Sequence, residues 1–143
     1  MPDVSQCKQI QLQVFDDKAH GLLSVGEQSK QIPFEIKRIY TIASLQHPQS
    51  VRGQHAHKRL EQIIFCLRGA AELFVDDGAK SKVIPLARPD TGVYLPPGIW
   101  HEVRGFSDDP ILLILASAPY DENDYIRNRE EFLRLAHVRT HPL

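Results

Sequence analysis

The sequence predicts an all-β domain, a sandwich or barrel of short strands, with one α-helix near its C-terminal end. Apolar residues alternate with polar ones in many short segments, and clusters of Gly, Pro and Asp separate these segments. The apolar spacing changes to three and four only near the C-terminus, as is typical of a helix. At 143 residues the chain has the length of one domain, and we expect residues 1–143 to form one.

The predicted strands follow one another along the chain. Ile10, Leu12 and Val14 alternate with polar residues and indicate the first strand, and residues 22–25 indicate the second. The sequence Asp76-Asp77-Gly78 predicts a hairpin turn between two later strands. The other strand candidates are residues 36–42, 62–67, 72–75, 82–86, 92–95, 101–106 and 111–117.

The last predicted element is an amphipathic helix at about residues 122–136. Asp121 and Asn123 are available as N-terminal caps. The residues that recur at helical spacing are Tyr125, Arg129, Phe132, Leu133 and Ala136. Residues 137–143 carry no pattern and are expected to form a loose tail.

The composition excludes several classes of protein. The chain is 42% hydrophobic and 24% charged, with a formal net charge of −1, so it has no basic surface of the kind that binds nucleic acid. No apolar run approaches the roughly 18 residues of a membrane-spanning helix, and no N-terminal segment resembles a signal peptide. Cys7 and Cys66 do not form a disulfide framework, and Cys66 is expected in the core. We therefore expect a cytoplasmic protein without a nucleic-acid or membrane partner.

The chemically informative segment is residues 52–62. His55 and His57 are two residues apart, so on a strand their side chains point to the same face. A third histidine, His101, follows a tight Pro- and Gly-containing turn at the start of another predicted strand. If the extended path continues beyond His57, the same face also carries Glu61, Ile63, Phe65 and Leu67.

Two kinds of chemistry fit these residues. Three histidines and the Glu61 carboxylate are a suitable ligand set for iron, manganese or another transition metal. Histidine also has the unperturbed pKa that metal-free acid–base catalysis needs near neutral pH. The spacing of the residues does not separate the two hypotheses.

The order of these motifs resembles the cupin superfamily. The pattern is His-x-His, then Glu61, then Gly69, and about 40 residues later Pro96-x-Gly98-x-x-His101. The resemblance implies a double-stranded β-helix, that is, a jelly-roll barrel. It does not decide the function, because one fold hosts many activities.

A closer resemblance covers roughly residues 10–133. The segments that carry it are residues 32–40, 52–58 (Arg-Gly-Gln-His-Ala-His-Lys), 60–62, 92–95, 100–102 and 115–122. They look like the dTDP-sugar 3,4-ketoisomerases, and their order is the same. The resemblance implies conversion of dTDP-4-keto-6-deoxyglucose to a dTDP-3-keto-6-deoxyhexose without a metal or other cofactor. It also implies a homodimer that exchanges an N-terminal strand.

The same resemblance assigns roles to residues of this chain. The family's catalytic histidine falls on His55, with His57 beside it and Tyr40 as a supporting hydroxyl. Two positions that influence the stereochemistry at carbon 4 fall on His101 and His20, and a histidine at position 20 departs from the family pattern. The expected substrate-binding residues are Arg38 and Arg52, on the diphosphate side, together with Lys58, Glu61 and His20.

Two alternatives to the ketoisomerase hypothesis stay open at this point. One is a metal-dependent cupin enzyme, a dioxygenase or isomerase, that uses His55, His57, Glu61 and His101 as ligands. The other is a cupin that binds a sugar nucleotide without catalysis. The presence of His55, His57 and Tyr40 together favours catalysis.

Overall fold

The structure, a computed structural model, describes residues 1–141 and confirms an all-β fold with one α-helix. Short 3-10 turns lie at Val4–Gln6 and Glu122–Asp124, and the helix α1 spans Arg129–Thr140. The strands are β1 (Gln9–Gln11), β2 (Gln13–Asp17), β3 (Gly21–Val25), β4 (Arg38–Ile42), β5 (Arg52–His57), β6 (Gln62–Asp76), β7 (Ser81–Leu86), β8 (Thr91–Leu95), β9 (Trp100–Ala116) and β10 (Tyr125–Ile126).

The two long strands β6 and β9 pair antiparallel along most of their length and form the centre of the sheet. Strands β8 and β7 pair with the two ends of β6, and strands β4 and β5 pair with the two ends of β9. The register between β6 and β9 shifts three times between Cys66 and Glu72, as at β-bulges. Because bulges bend strands, this sheet curls into the jelly-roll barrel that the sequence predicts.

The bends explain why four predicted strands are only two in the structure. Segments 62–67 and 72–75 both belong to β6, and segments 101–106 and 111–117 overlap β9. Gly69, which indicated a turn, has φ +72°, and a Cβ atom there would lie 2.5 Å from the carbonyl oxygen of Ser107. The glycine thus lets β6 cross close to β9 without ending the strand.

The prediction errs in the opposite direction at the N-terminus, where the first predicted strand forms two strands, β1 and β2, in the structure. Strand β1 pairs with β8, whereas β2 pairs only with β3, and Leu12 lies between them with its amide bonded to the Asp90 carbonyl. The β2–β3 hairpin forms an arm outside the main sheet. Its side chains are largely exposed, including Phe15, Leu22 (66%) and Leu23 (61%).

The core has two parts because β6 is buried on both faces near its start. Ile64 and Cys66 belong to the interior cluster with Leu73, Val75 and Leu112. Their neighbours Ile63 and Phe65 point to the other face and pack with Ile32 and Phe34. Burial on both sides accounts for the continuous apolar run in the sequence.

The helix begins and ends later than predicted. Residues 122–126 form a 3-10 turn and strand β10, and Asn128 caps α1 by accepting a hydrogen bond from the Glu131 amide at 2.8 Å. The helix continues to Thr140, so the expectation of a loose tail is wrong for residues 137–140. Residues 142 and 143 of that tail lie outside the described residues. No helix within residues 1–141 has the length and apolar character needed to cross a membrane.

Helix α1 packs against the outer side of β5. Phe132 is fully buried and lies in a cluster with Ala56 of β5, Trp100 of β9 and Ile126 of β10. Since Ala56 lies between His55 and His57 on the opposite face of β5, this cluster supports the strand that carries both histidines.

We expect Phe132→Ala to lower the free energy of unfolding by about 3–5 kcal/mol, because it removes a buried aromatic side chain and leaves a cavity. Leu133→Ala is the matched control, since Leu133 is the next residue of the same helix and is 40% exposed. The control should change the free energy of unfolding by no more than about 0.5 kcal/mol. Equilibrium urea unfolding of both variants measures the difference, and equal losses would contradict the packing role of Phe132.

Candidate active site

A cavity of about 450 Å³ opens inside the barrel. Its apolar wall comes from the inward faces of β6 and β9, through Ile64, Val103, Leu112 and Ile114. Its polar lining consists of Arg38, Tyr40, Arg52, His55, His101, Tyr125 and Arg127. The cavity therefore combines an apolar wall with imidazoles, phenols and guanidinium groups.

Strand pairing brings the histidines together. In the antiparallel register of β5 and β9, His55 lies opposite His101, and their ring centroids are 4.5 Å apart. On the other edge of β5, His57 lies opposite Tyr125 of β10, with ring centroids 4.4 Å apart. The prediction that His55, His57 and His101 face the same space agrees with this geometry.

A bulge at the start of β5 sets the position of His55. The register shifts between Gly53 and His55, and both Gly53 (φ +85°) and Gln54 (φ +59°) adopt left-handed backbone conformations. A Cβ atom on Gly53 would lie 3.0 Å from the carbonyl oxygen of His101, so glycine permits this close approach. The Gly53 carbonyl oxygen is then 3.0 Å from Nδ1 of His55.

The histidines form a chain of polar contacts that ends at a buried carboxylate. Nε2 of His55 is 3.2 Å from Nε2 of His57, and Nδ1 of His57 is 3.1 Å from Oδ2 of Asp124. The Asp124 carboxylate also accepts hydrogen bonds from the backbone amides of Arg59 at 2.8 Å and Leu60 at 3.2 Å. These bonds satisfy a carboxylate that is only 6% exposed.

Asp124 and Tyr125 are site residues that the sequence analysis missed. Both fall within the predicted helix, where Tyr125 was counted on the apolar face. In the structure they belong to the 3-10 turn and to strand β10, and the pairing of β10 with β5 brings them to His57. Because β10 has only two residues, it is too short to show a strand periodicity in the sequence.

Tyr40 lies on the cavity wall and is held by Gln62, another residue that the sequence analysis missed. The amide Nε2 of Gln62 donates a hydrogen bond to the Tyr40 hydroxyl at 3.0 Å. Burial raises the pKa of Tyr40, so the phenol keeps its proton at neutral pH. Gln62 itself is almost completely buried.

The sequence analysis predicted the wrong cavity-facing side for the residues that follow β5. Lys58 and Arg59 form a bend after β5, so the extended path is interrupted and the alternation starts again in β6. Gln62 and Ile64 therefore point to the cavity side, whereas Glu61 points away and accepts a hydrogen bond from the Tyr94 hydroxyl at 2.6 Å. The structure thus does not bring Glu61 to the three histidines, and Lys58 is exposed outside the cavity lining.

His20 also lies away from this chain's cavity. It is exposed in the turn between β2 and β3, at the tip of the arm, and its amide donates to the Asp17 carbonyl at 2.8 Å. A role for His20 in substrate binding therefore requires the cavity of another chain.

Three arginines line the cavity and differ in their partners. Arg127 is paired with Glu122 through two hydrogen bonds of 2.7 and 2.9 Å. The Arg38 guanidinium lies 5.3 Å from the Tyr40 ring centroid, and its buried Nε has no hydrogen-bond partner among residues 1–141. Arg52 is exposed at the edge of the cavity. Arg38 and Arg52 are therefore the two arginines of the cavity lining that have no acidic partner within residues 1–141.

Burial disfavours the protonated, charged form of the three imidazoles. Desolvation lowers the pKa of His55 and of His101, and it lowers the pKa of His57 to about 4, where the charge of His55 adds to the effect. At neutral pH these side chains are neutral. A neutral imidazole that lines the cavity, as His55 does, can act as a base.

One ring nitrogen from each of His55, His57 and His101 lies within 4.8 Å of the corresponding nitrogens of the other two. This spacing would accommodate a transition-metal ion. The carboxylate that the metal hypothesis requires, that of Glu61, is bonded to Tyr94 instead. The predicted four-ligand set is thus not assembled in the structure.

Comparison with known proteins identifies the family. A jelly-roll barrel with histidines in its cavity is a cupin, and the family described as FdtA, WxcM-like C-terminal, matches residues 5–137. The chain belongs to this family.

Similar proteins of known activity agree with this assignment. A TDP-4-oxo-6-deoxy-alpha-D-glucose-3,4-oxoisomerase of Aneurinibacillus thermoaerophilus is 44% identical over 114 residues, which are 80% of this chain and 81% of that protein. The structure of a 3,4-ketoisomerase from Helicobacter canadensis superposes with a TM-score of 0.86 and 43% identity, covering 91% of this chain and 96% of that one. The sugar 3,4-ketoisomerase QdtA from Thermoanaerobacterium thermosaccharolyticum, in complex with TDP, gives a TM-score of 0.90 and 36% identity, covering 96% and 98%.

The lowered histidine pKa values predict how stability depends on pH. Since the unfolded chain binds protons on these histidines near pH 6.5 and the folded chain does not, the free energy of unfolding should fall as the pH decreases from about 6.5 towards 4. His57→Gln should reduce this slope, and His47→Gln, which removes an exposed histidine outside the cavity, is the matched control. Urea unfolding at about pH 7.5 and about pH 5 measures the slopes. Equal slopes for the wild type and His57→Gln would contradict the assignment.

Proposed function

We propose that this protein is a sugar 3,4-ketoisomerase that converts dTDP-4-keto-6-deoxyglucose to a dTDP-3-keto-6-deoxyhexose. The observation that carries the proposal is the neutral, half-buried His55, which lines a cavity beside Tyr40 and His101. Arg38 and Arg52, which have no acidic partner within residues 1–141, line the same cavity. The family supports the substrate class. A histidine-to-asparagine variant of the related Thermoanaerobacterium enzyme has been crystallised in complex with TDP-4-keto-6-deoxyglucose.

The chemistry requires one proton to leave carbon 3 and one to arrive at carbon 4. The ketone at carbon 4 acidifies the carbon-3 proton, and removal of that proton gives an enediolate across both carbons. Protonation at carbon 4, with transfer of the hydroxyl proton from the oxygen on carbon 3 to the oxygen on carbon 4, leaves the ketone at carbon 3 and a hydroxyl at carbon 4. No electrons enter or leave the substrate, so the reaction needs no oxidant.

The residues of the cavity fit these steps. His55 is the proposed base, and general acid–base catalysis of this kind contributes about 10²–10⁴-fold to a rate. Tyr40 is the proposed proton carrier for the two sugar oxygens, because it lines the cavity and keeps its proton, and His57 is proposed to assist His55, whose ring it contacts. His101, directly opposite His55 on β9, is the proposed influence on stereochemistry at carbon 4.

The nucleotide half of the substrate requires binding rather than catalysis. Arg38 and Arg52 are the proposed partners of the diphosphate, because a guanidinium group can donate two parallel hydrogen bonds to phosphate oxygens. The buried Nε of Arg38 has no hydrogen-bond partner within residues 1–141, which supports a role for this side chain in binding an anion. Arg127 is a weaker candidate, since Glu122 already occupies it.

The proposed assembly is a cytoplasmic homodimer that exchanges the N-terminal strand. The β2–β3 arm supports it, because the arm exposes Phe15, Leu22 and Leu23 to solvent in a single chain. An apolar groove of about 460 Å³, which includes Leu12, Phe65 and Leu113, lies beside the arm. Exchange would also allow His20 to approach the partner's cavity. Sedimentation of the purified protein should show a dimer, and a monomer at micromolar concentration would exclude this assembly.

The direct test of the function is incubation with dTDP-4-keto-6-deoxyglucose in deuterium oxide, followed by NMR. We expect a 3-keto product that carries deuterium from solvent, and the same rate after treatment with a chelator. Metal-free turnover is expected because a proton shuttle needs imidazole nitrogens that are free of ligation. Activity that disappears with the chelator and returns with iron, manganese or zinc would favour a metal-dependent enzyme instead.

Two variants should separate catalysis from binding. His55→Asn should abolish turnover and leave dTDP affinity nearly unchanged, because asparagine fills similar space but does not accept a proton at neutral pH. Arg52→Ala should mainly weaken dTDP-sugar binding, because its proposed partner is the unreacting diphosphate. Calorimetry with dTDP and carbon-3 proton exchange by NMR distinguish the two effects. Wild-type exchange in His55→Asn would remove His55 as the base and make His57 the better candidate.

A further inference from the structure

The contacts of His55 and His57 define which nitrogen of each ring carries the proton. Nδ1 of His55 faces the Gly53 carbonyl oxygen at 3.0 Å, and Nδ1 of His57 faces the Asp124 carboxylate at 3.1 Å. Both oxygens are acceptors, so each contact is a hydrogen bond only when the Nδ1 atom is protonated. In the neutral state both Nε2 atoms therefore carry lone pairs.

Those two lone pairs face each other. The Nε2 atoms of His55 and His57 are 3.2 Å apart, which is a hydrogen-bonding distance for one proton between them. With both rings neutral, no proton is available for this contact. The pair can therefore accept one proton, and the contact between the two Nε2 atoms becomes a hydrogen bond once that proton is bound.

Asp124 fixes the protonated nitrogen of His57, the second ring of the pair. Its carboxylate is held by the amides of Arg59 and Leu60, so it cannot turn away from His57 without losing two hydrogen bonds to the backbone. A carboxylate at this position selects the Nδ1–H tautomer of His57 and stabilises an imidazolium if one forms.

We propose that Asp124 is a positioning residue for the isomerisation: it holds His57 as the Nδ1–H tautomer, so that the Nε2 lone pair of His57 shares the proton that His55 removes from carbon 3. This inference rests on the proposed function. The carbon-3 proton moves to Nε2 of His55, and the electron pair of the C–H bond forms the enediolate. While the proton is held between the two Nε2 atoms it can exchange with solvent, and one proton is then delivered to carbon 4 of the substrate, so the histidine pair ends the cycle unchanged.

The test is Asp124→Asn. In asparagine the amide oxygen can replace Oδ1 and accept from the Arg59 amide, but the NH2 group then takes the place of Oδ2. It loses the hydrogen bond from the Leu60 amide, faces Nδ1 of His57 and favours the Nε2–H tautomer. That proton would be donated to Nε2 of His55 and occupy the lone pair of the base. We expect kcat to fall about 10²–10⁴-fold, the contribution of general base catalysis, while the Kd for dTDP is unchanged.

The matched control is Asp121→Asn. Asp121 caps the same 3-10 turn by accepting from the Asn123 amide at 3.0 Å. Within residues 1–141 its side chain bonds to Asn123 and Arg59 and not to a cavity histidine. This variant should keep kcat within about twofold, since it perturbs the turn without changing the tautomer. Equal losses in the two variants would mean that Asp124 has only a structural role.

Histidine ¹⁵N NMR gives a readout that a structural role alone would not change. In the wild type, we expect the Nδ1–H form of His57 at about pH 7.5, and in Asp124→Asn the Nε2–H form. An Nε2–H form in the wild type would overturn the inference even if the variant failed to fold. Wild-type kcat in a folded Asp124→Asn would overturn it as well. Absence of wild-type turnover would instead refute the proposed function and leave the tautomer measurement intact.

Discussion

The pairing of β5 with β9 on one edge and β10 on the other is the constraint on which the site depends. This register sets His55 against His101 and His57 against Tyr125. A slip of one residue would turn both histidines of β5 to the outer face and bring Ala56 to the cavity. The outer cluster around Phe132 opposes such a slip, because Ala56 is completely buried in it and a larger imidazole in its place would overpack the cluster. The helix therefore contributes to the site without contacting it.

The bent strands provide the environment in which those histidines work. Because β6 is apolar on both faces, the cavity has Ile64 on its wall and a second apolar layer, with Ile63 and Phe65, behind it. Few groups in such a wall can solvate a charge, which is why burial is the largest cause of the lowered pKa values of His55, His57 and His101. The long strands thus set the protonation state of the site as well as its shape.

The sequence predicted the parts of the site that depend on local periodicity. His55 and His57 share a face because they are two residues apart on one strand, and Tyr40 lines the cavity from β4 as the family resemblance implied. The error at Glu61 arose because the bend at residues 58–59 changes the phase of the alternation, and a one-dimensional pattern does not record a bend. Asp124 was missed for a different reason. It lies 67 residues from His57, and only the pairing of a two-residue strand brings them together.

The cavity contains two kinds of basic side chain, arginines that are always charged and histidines that are neutral. Arginines keep their charge under all ordinary conditions, so Arg38 and Arg52 give the outer part a permanent attraction for an anion. The three histidines are neutral, and because they are so close, a proton on His55 lowers the pKa of His57 and of His101. The cluster consequently accepts one proton at a time. An isomerisation needs no more than that, since it removes one proton from carbon and returns one, while the carboxylate of Asp124 lies where the positive charge of the pair would be greatest.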